Sequence, residues 1–218
     1  MVVRPVRIRP CARRSLVASI SIILPTIDGR EESCEFVQRC FLERSANHHV
    51  KLIVRKNFPN WPAGVNAGMA DATGDYLFFA ADDLEPLDGW ADAMIGCLDA
   101  GEIPAPQVWD HRVQGRPVNE SEDGPPGSIP VFSRAPALTR DMAGRIGAWP
   151  EIDYYGDNWV CDKARLLGIQ IRVTEGFAFV HHWHPVGRLD AGDWVGRNLP
   201  AYQAEVTKLH QGGGVTDA

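Results

Sequence analysis

The sequence predicts an α/β fold in which a mostly parallel sheet carries helices on both of its faces. Apolar runs that suit buried strands alternate with segments of helical period through the first half of the chain, and short connections join them. The hydrophobic content of 44% and the charged content of 23% are ordinary for a globular domain. A chain of 218 residues is also long enough to bury one substantial core.

The first half follows the order strand, helix, strand, helix, strand, helix. Residues 16–24 form an almost unbroken apolar run, which predicts a first strand that Pro25 ends. Glu31–Arg44 has acids in its first turn and one apolar face, and this pattern predicts a helix. The later elements are predicted as a strand at 51–54, a helix from Ala63 that Gly74 ends, a strand at 76–80 and a helix at 86–99. Apolar strands with such connections indicate parallel pairing and right-handed crossovers.

The second half is less regular. Residues 110–127 are polar and rich in glycine and proline, which is typical of a functional loop. Thr139 is placed to cap a helix at 139–146, and Gly168 is placed to end a helix at 157–167. The other predicted elements are strands at 107–109, 129–132, 169–173 and 177–180 and a helix at 199–210.

Charge is unevenly distributed. Residues 1–14 hold five arginines and no acid, so a net charge of −6 for the chain leaves −11 on the rest. An acidic body is not expected to bind a polyanion such as nucleic acid, unless the nucleic acid is itself a substrate or binds the basic segment at residues 1–14. Residues 1–15 are predicted to be a disordered leader, with a phosphate- or membrane-contacting segment or a transit peptide as alternatives. Five scattered cysteines without a CxxC pair, and the lack of a signal-peptide or membrane-spanning run, favour a cytoplasmic setting.

Two adjacent carboxylates, Asp82 and Asp83, come directly after the predicted strand at 76–80. Ligands of open α/β sheets bind at the carboxyl ends of the strands. Carboxylates there, with Glu85 close by, can hold a hard divalent cation and the phosphates it carries. An Asp-Asp pair after a strand is also a common polar turn, so the pair alone leaves both interpretations open.

Five short motifs occur in a fixed order between residues 16 and 185. They are SIILPT at 21–26, the block at 66–86 with its Asp pair, GAWP at 147–150, YGDNWVCDK at 155–163 and FVHH at 179–182. Together they resemble family 2 of the inverting glycosyltransferases, which have the GT-A fold and use nucleotide-sugar donors. The resemblance implies one domain at 16–210 with a Rossmann-like nucleotide-binding half at 16–100, an acceptor-side half at 101–210 and a flexible tail at 211–218.

The resemblance also implies the catalytic groups. Asp157 would be the general base that takes the proton of the acceptor hydroxyl, although an aspartate also suits the start of a helix for structural reasons. Asp153 and Asp162 are the alternative candidates for the general base. Asp83 and His181 would hold Mn²⁺ or Mg²⁺, which neutralises the departing diphosphate. Ala81 stands where the first acid of the family's DxD motif would lie, so the ion would be held weakly or together with the donor.

Donor and acceptor contacts are less fully implied. The donor side would be lined by Pro25, Thr26, Asp28, Asn66 and Asp82. A UDP-sugar is favoured, but residues 55–57 read Arg-Lys-Asn where many relatives hold uracil with an acid, so a GDP-sugar stays open. The acceptor is unknown, and its predicted contacts are Trp109 and Trp149. The further histidines that could contact the diphosphate are His182 and His184.

Two other functions are compatible with the same pattern. A sugar nucleotidyltransferase would also use a nucleotide-binding sheet and a carboxylate-held metal, but it is expected to carry a glycine-rich basic loop after the first strand. Residues 25–30 contain one glycine. A catalytically silent binding module of the same fold would explain the missing first acid at Ala81.

Overall fold

The computed structural model describes residues 17–110, 135–152, 155–182 and 194–212. Its elements in chain order are β1 (Ser19–Thr26), α1 (Glu31–Arg44), β2 (His49–Lys56), α2 (Trp61–Asp71), β3 (Tyr76–Phe79), β4 (Leu84–Pro86), α3 (Trp90–Asp99), β5 (Ile103–Asp110), β6 (Ala137–Thr139), α4 (Arg140–Ile146), α5 (Gly156–Leu166), β7 (Ile171–His181) and α6 (Trp194–Gly212). The predicted strand at 129–132 and the predicted loop beyond residue 110 lie outside the described residues. No helix in the described ranges is long and apolar enough to cross a membrane.

The strands form two sheets. The first has the order β2-β1-β3-β6, in which β1 runs parallel to β2 and β3 while β6 is antiparallel to β3. The second has the order β4-β7-β5, in which β5 runs parallel to β7 and β4 is antiparallel to it. The prediction of a mixed α/β fold with a mostly parallel sheet therefore describes the first sheet well.

An aromatic cluster joins the two sheets. Phe78 of β3 stacks on Phe179 of β7, with ring centroids 5.4 Å apart and an interplanar angle of 6°. Trp90 of α3 packs on Phe78 at 5.1 Å, and Phe41 of α1 packs on Trp90 at 5.2 Å. All four side chains are fully buried, so one core serves both sheets.

Two boundary residues have other roles than the sequence predicted. Pro25 does not end β1, because the strand continues to Thr26 and pairs there with β2 alone. Beyond Ile23 that end of β1 behaves as an edge, where a proline is tolerated. Gly74 does not end α2, which stops at Asp71 with Ala72 as its C-cap. A Cβ at Gly74 would lie 2.6 Å from the backbone nitrogen of Ser21, so the glycine lets the chain approach β1.

The second half differs more from the prediction. The strands expected at 169–173 and 177–180 are one strand, β7, which has a register shift against β5 between Val173 and Ala178. Gly176 lies in that irregular stretch with φ +81°, a backbone conformation that favours glycine. The short strands β4 and β6 were not predicted, and β5 and α6 are longer than expected.

Candidate active site

The carboxyl ends of β1 and β3 lie side by side and bring Thr26 next to Asp82. The Thr26 hydroxyl donates to Asp82 Oδ2 over 2.6 Å, and both residues are buried. The Ser33 hydroxyl donates to the backbone carbonyl of Asp82 from the first turn of α1. Two predicted donor-site residues therefore meet at the rim where a doubly wound sheet binds ligands.

Arg30 bridges the two adjacent carboxylates. Its Nη1 lies 2.9 Å from Asp82 Oδ1, and its Nη2 lies 2.7 Å from Asp83 Oδ2. The guanidinium side chain is 14% exposed, against 4% for Asp82 and 16% for Asp83. Sequence reasoning missed Arg30. The available signal was a cation at the start of α1, in the loop that leaves β1 beside the strand that ends at the Asp pair.

The two carboxylates differ in pKa. Burial raises the pKa of Asp82 above its ordinary value, and neither the hydrogen bond from Thr26 nor the charge of Arg30 reverses that shift. Burial acts in the same direction on Asp83, but its interactions with His181 and with the Arg30 guanidinium outweigh it and lower its pKa. Asp83 is therefore the carboxylate that holds its negative charge more firmly.

Strand pairing brings the histidines to the same rim. Leu84 of β4 pairs with His181 of β7, and the backbone N–H of His182 donates to the carbonyl of Asp83 over 2.8 Å. His181 Nε2 lies 3.7 Å from Asp83 Oδ2, so the predicted metal pair is brought together. His184 lies outside the described residues.

His182 and Glu85 form a separate group. His182 Nε2 lies 2.6 Å from Glu85 Oε2, and Arg44 Nη1 lies 2.6 Å from the other oxygen of the same carboxylate. Burial would raise the pKa of Glu85, but the hydrogen bonds from His182 and Arg44 outweigh it and lower its pKa. Glu85 is thus engaged by His182 and Arg44, and it does not complete a metal-binding group of three with Asp83 and His181.

Asp83 and His181 fit a divalent cation as a partial ligand set. Their facing oxygen and nitrogen are 3.7 Å apart, and both side chains are partly accessible. In the described ranges no group of three or more His, Cys, Asp or Glu residues is arranged to hold a metal. Mg²⁺ and related ions are commonly held by one or two carboxylates together with substrate phosphates and water, which is the arrangement these two residues would allow.

Asp28 is held at the open end of β1. Its carboxylate accepts a hydrogen bond from Asn57 Nδ2 and pairs with Lys56 Nζ, both at 2.8 Å, while Asn57 Oδ1 accepts from the Asp28 backbone N–H at 3.0 Å. The hydrogen bonds from Lys56 and Asn57 lower the pKa of Asp28. The unexpected Lys-Asn pair after β2 therefore fixes the orientation of an exposed acid on the neighbouring loop.

Asn66 and Pro25 support the site through α2. The Asn66 amide donates from Nδ2 to the Trp149 carbonyl at 2.8 Å and accepts from the Trp149 N–H at 2.9 Å. Both ends of that amide thus bind backbone of the segment before α5. Pro25 packs against Gly64, where an added Cβ would lie 3.0 Å from the proline ring. The predicted donor roles of both residues are not visible in these contacts.

A chain of contacts places the start of α5 at the end of β3. A Cβ at Gly156 would lie 3.7 Å from the Trp149 ring. The Trp149 ring lies 4.8 Å from that of Phe79 and 5.2 Å from that of Trp61, measured between centroids. Trp61 Nε1 donates to the carbonyl of Ala80, two residues before Asp82. The first turn of α5 is therefore linked through Trp149 to the carboxyl-terminal end of β3.

Asp157 occupies that first turn. It is half-buried, and its Oδ1 accepts a hydrogen bond from the Asn158 N–H at 3.0 Å. Of the two alternative candidates, Asp162 lies one turn further along α5 and contacts Arg165 and Tyr202, and Asp153 lies outside the described residues.

The two tryptophans predicted to line an acceptor site differ in exposure. Trp149 is 2% exposed and fills the core between α2 and β3, so it has no free face for a sugar and supports the site from beneath. Its role as an acceptor contact is therefore corrected. Trp109 is half-buried on β5 and pairs with Val180, next to His181. Its acceptor role stays a prediction.

These features define the class of the protein: it has the GT-A fold of a glycosyltransferase. Residues 23–163 match the family model described as glycosyl transferase family 2, and the chain belongs to that family. The match favours a glycosyltransferase over the nucleotidyltransferase alternative. No curated protein matches the chain.

Among solved structures, the chain is similar to a mannosyltransferase from Pyrobaculum calidifontis in complex with GDP-Man and Mn²⁺. The TM-score is 0.59 and the sequence identity is 13%, so the likeness is one of fold. The alignment covers 89% of this chain and 65% of the other, which means that the chain spans about two thirds of the length of that structure.

Proposed function

We propose that the protein moves a sugar from a nucleoside-diphosphate sugar to an acceptor hydroxyl, with inversion at the anomeric carbon and with the help of a divalent cation. The observation that supports this most directly is the convergence at one rim of Thr26, Asp82, Asp83 and His181, which three separate strands or strand ends contribute. The start of α5, which carries Asp157, packs through Trp149 against Phe79, the last residue of β3, and this supports the proposal.

In the proposed reaction the acceptor oxygen attacks the anomeric carbon from the face opposite the diphosphate. The new carbon–oxygen bond forms as the bond to the diphosphate breaks, and the diphosphate leaves with the bonding electron pair. Asp157 accepts the proton of the acceptor hydroxyl, as a half-buried carboxylate at neutral pH can do. A cation held by Asp83 and His181 would supply electrostatic stabilisation of the leaving diphosphate.

The remaining donor contacts follow from the two strand ends. Asp28 is exposed, and Lys56 and Asn57 hold its carboxylate in one orientation, which suits recognition of a base or a ribose. A UDP-sugar is the donor that the sequence favours. The mannosyltransferase of similar fold was solved with GDP-Man, so GDP-sugars belong in the same test.

Donor binding is tested by thermal unfolding of the protein with a panel of nucleoside diphosphates and their sugars, with and without Mn²⁺. A ligand that binds the native state raises the unfolding temperature, and the rise grows with the logarithm of the ratio of ligand concentration to Kd once that ratio is large. We expect one nucleotide to raise it more than the others, and more in the presence of Mn²⁺. A panel without any shift would contradict donor binding. The absence of metal-dependent donor turnover, assayed with and without Mn²⁺, would favour the silent binding module.

Asp157→Asn tests the base. We expect this variant to lose transfer and donor hydrolysis by about two to four orders of magnitude, because general base catalysis contributes on that scale, while its nucleotide binding stays unchanged. Asp141→Asn is the matched control, because Asp141 is an exposed first-turn acid of α4. An Asp157→Asn variant that keeps full transfer activity would rule out Asp157 as the base.

A further inference from the structure

Arg30 and a divalent cation would need the same oxygen atom. The guanidinium binds Asp83 through Oδ2, at 2.7 Å from Nη2. The atom of Asp83 that faces His181 Nε2 is also Oδ2, at 3.7 Å. A cation held between Asp83 and His181 along this line would therefore approach the oxygen that Arg30 already binds.

Charge makes that competition stronger. An arginine side chain stays protonated at every working pH, and its two-pronged contact with carboxylates is among the stronger ion pairs in proteins. Here a single guanidinium spans Asp82 and Asp83. A divalent cation placed a few ångströms from that guanidinium would be repelled by it.

The hydrogen-bond donors of the Arg30 side chain are not all paired. Its Nε is buried and has no hydrogen-bond partner among the described residues. A buried donor without a partner costs free energy. A diphosphate offers several oxygens, pairs of which can bind the planar fork of guanidinium donors, so a bound donor could accept the group once it leaves Asp83.

We propose that Arg30 is the resident counter-ion of the Asp82–Asp83 pair and competes with the divalent cation for Asp83, which couples metal binding to donor binding. Metal alone then binds weakly, because only the fraction of molecules with a free Asp83 is competent. A donor that takes over the guanidinium raises the metal affinity, and by reciprocity the metal raises the donor affinity. The donor part of this inference rests on the proposed function, whereas the competition itself does not.

The test is Mn²⁺ binding without nucleotide, measured by electron paramagnetic resonance of the free ion and by the Mn²⁺-induced shift of the unfolding temperature. We expect Arg30→Met to bind Mn²⁺ at least about tenfold more tightly than the wild type, because a competing positive charge is removed. Arg44→Met is the matched control. Arg44 also pairs with an acid, Glu85, which lies two residues after Asp83, but it does not contact Asp82 or Asp83. It should bind Mn²⁺ like the wild type.

Arg30→Gln repeats the measurement with a neutral side chain that can still donate a hydrogen bond, and it serves if the methionine variant does not fold. The measurement is then repeated with the nucleoside diphosphate that gives the largest thermal shift. We expect this nucleotide to increase the Mn²⁺ affinity of the wild type by a larger factor than that of either Arg30 variant. Unchanged Mn²⁺ affinity in the Arg30 variants would overturn the competition, even in a protein that transfers sugar. Tighter Mn²⁺ binding in a protein that takes no donor would keep the competition and reject the proposed function.

Discussion

At the scale of single residues, glycines decide how closely α2 can pack on β1. A Cβ at Gly68 would lie 2.3 Å from Ile23 Cγ2, and Ile23 is fully buried in the core. At Gly96 of α3, no heavy atom of the described residues outside its own helical turn lies within 4 Å of the corresponding position. Replacing glycine by alanine should therefore change the free energy of unfolding in opposite directions at Gly68 and Gly96.

We expect Gly68→Ala to lower the free energy of unfolding by about 1–3 kcal/mol, because the overpacked helix must shift away from Ile23. Gly96→Ala should raise it by roughly 0.5–1 kcal/mol, because alanine loses less conformational freedom in a helix. Urea unfolding of both variants measures the two changes. A stabilised Gly68→Ala variant would show that α2 does not approach β1 as described.

The residues of the site were predictable to different degrees. Asp82, Asp83 and His181 stand in local motifs that could be recognised along the chain, and the structure brings them to one rim. Arg30 could not be assigned in the same way, because many cations precede helices and only the three-dimensional structure shows which acids one of them meets. The burial of Trp149 was likewise invisible, since tryptophan suits both a sugar-binding face and a core.

At the scale of elements, α6 fixes the helix that carries Asp157. Tyr202 of α6 donates its hydroxyl hydrogen to Asp162 of α5. Its ring stacks on that of Tyr155 with centroids 4.9 Å apart, and Tyr155 precedes α5 with φ +68°. Tyr155 is thus held in a backbone conformation that is uncommon for a tyrosine, directly before the turn that contains Asp157.

We expect Tyr202→Phe to lower the free energy of unfolding by about 1 kcal/mol through the lost hydrogen bond. Tyr202→Ala also removes the stacking, and it should lower kcat of the transfer reaction while nucleotide binding stays near that of the wild type. Tyr76→Phe and Tyr76→Ala are the matched controls, because Tyr76 donates to Asp99 at 2.6 Å at the start of β3. Equal loss of kcat in Tyr76→Ala and Tyr202→Ala would contradict a specific role of α6.

Element boundaries were predictable where an element has its own signals. α1 was predicted at its full observed length, because acids mark its first turn and an apolar face runs through it. The three-residue strands β4 and β6 had no such signal, since they exist only through pairing with β7 and β3. The break predicted within β7 reflects a real irregularity at Gly176, which interrupts the register without ending the strand.

At the scale of the whole molecule, the aromatic cluster makes the two sheets depend on one another. Phe179 of β7 contacts Phe78 of the first sheet and Trp90 of α3, with centroid distances of 5.4 Å and 6.1 Å. The predicted halves at 16–100 and 101–210 each supply part of this cluster. Removal of one ring should therefore weaken both halves at once.

We expect Phe179→Ala to lower the free energy of unfolding by about 3–5 kcal/mol, the usual cost of removing a buried phenylalanine. Leu42→Ala should change it by less than about 0.5 kcal/mol, because Leu42 is 54% exposed. Tryptophan fluorescence, to which Trp90 in the cluster contributes, and far-ultraviolet circular dichroism should follow one coincident transition in both proteins. Two separate transitions would mean that the halves fold independently, and the shared cluster would then contribute little to the cohesion of the domain.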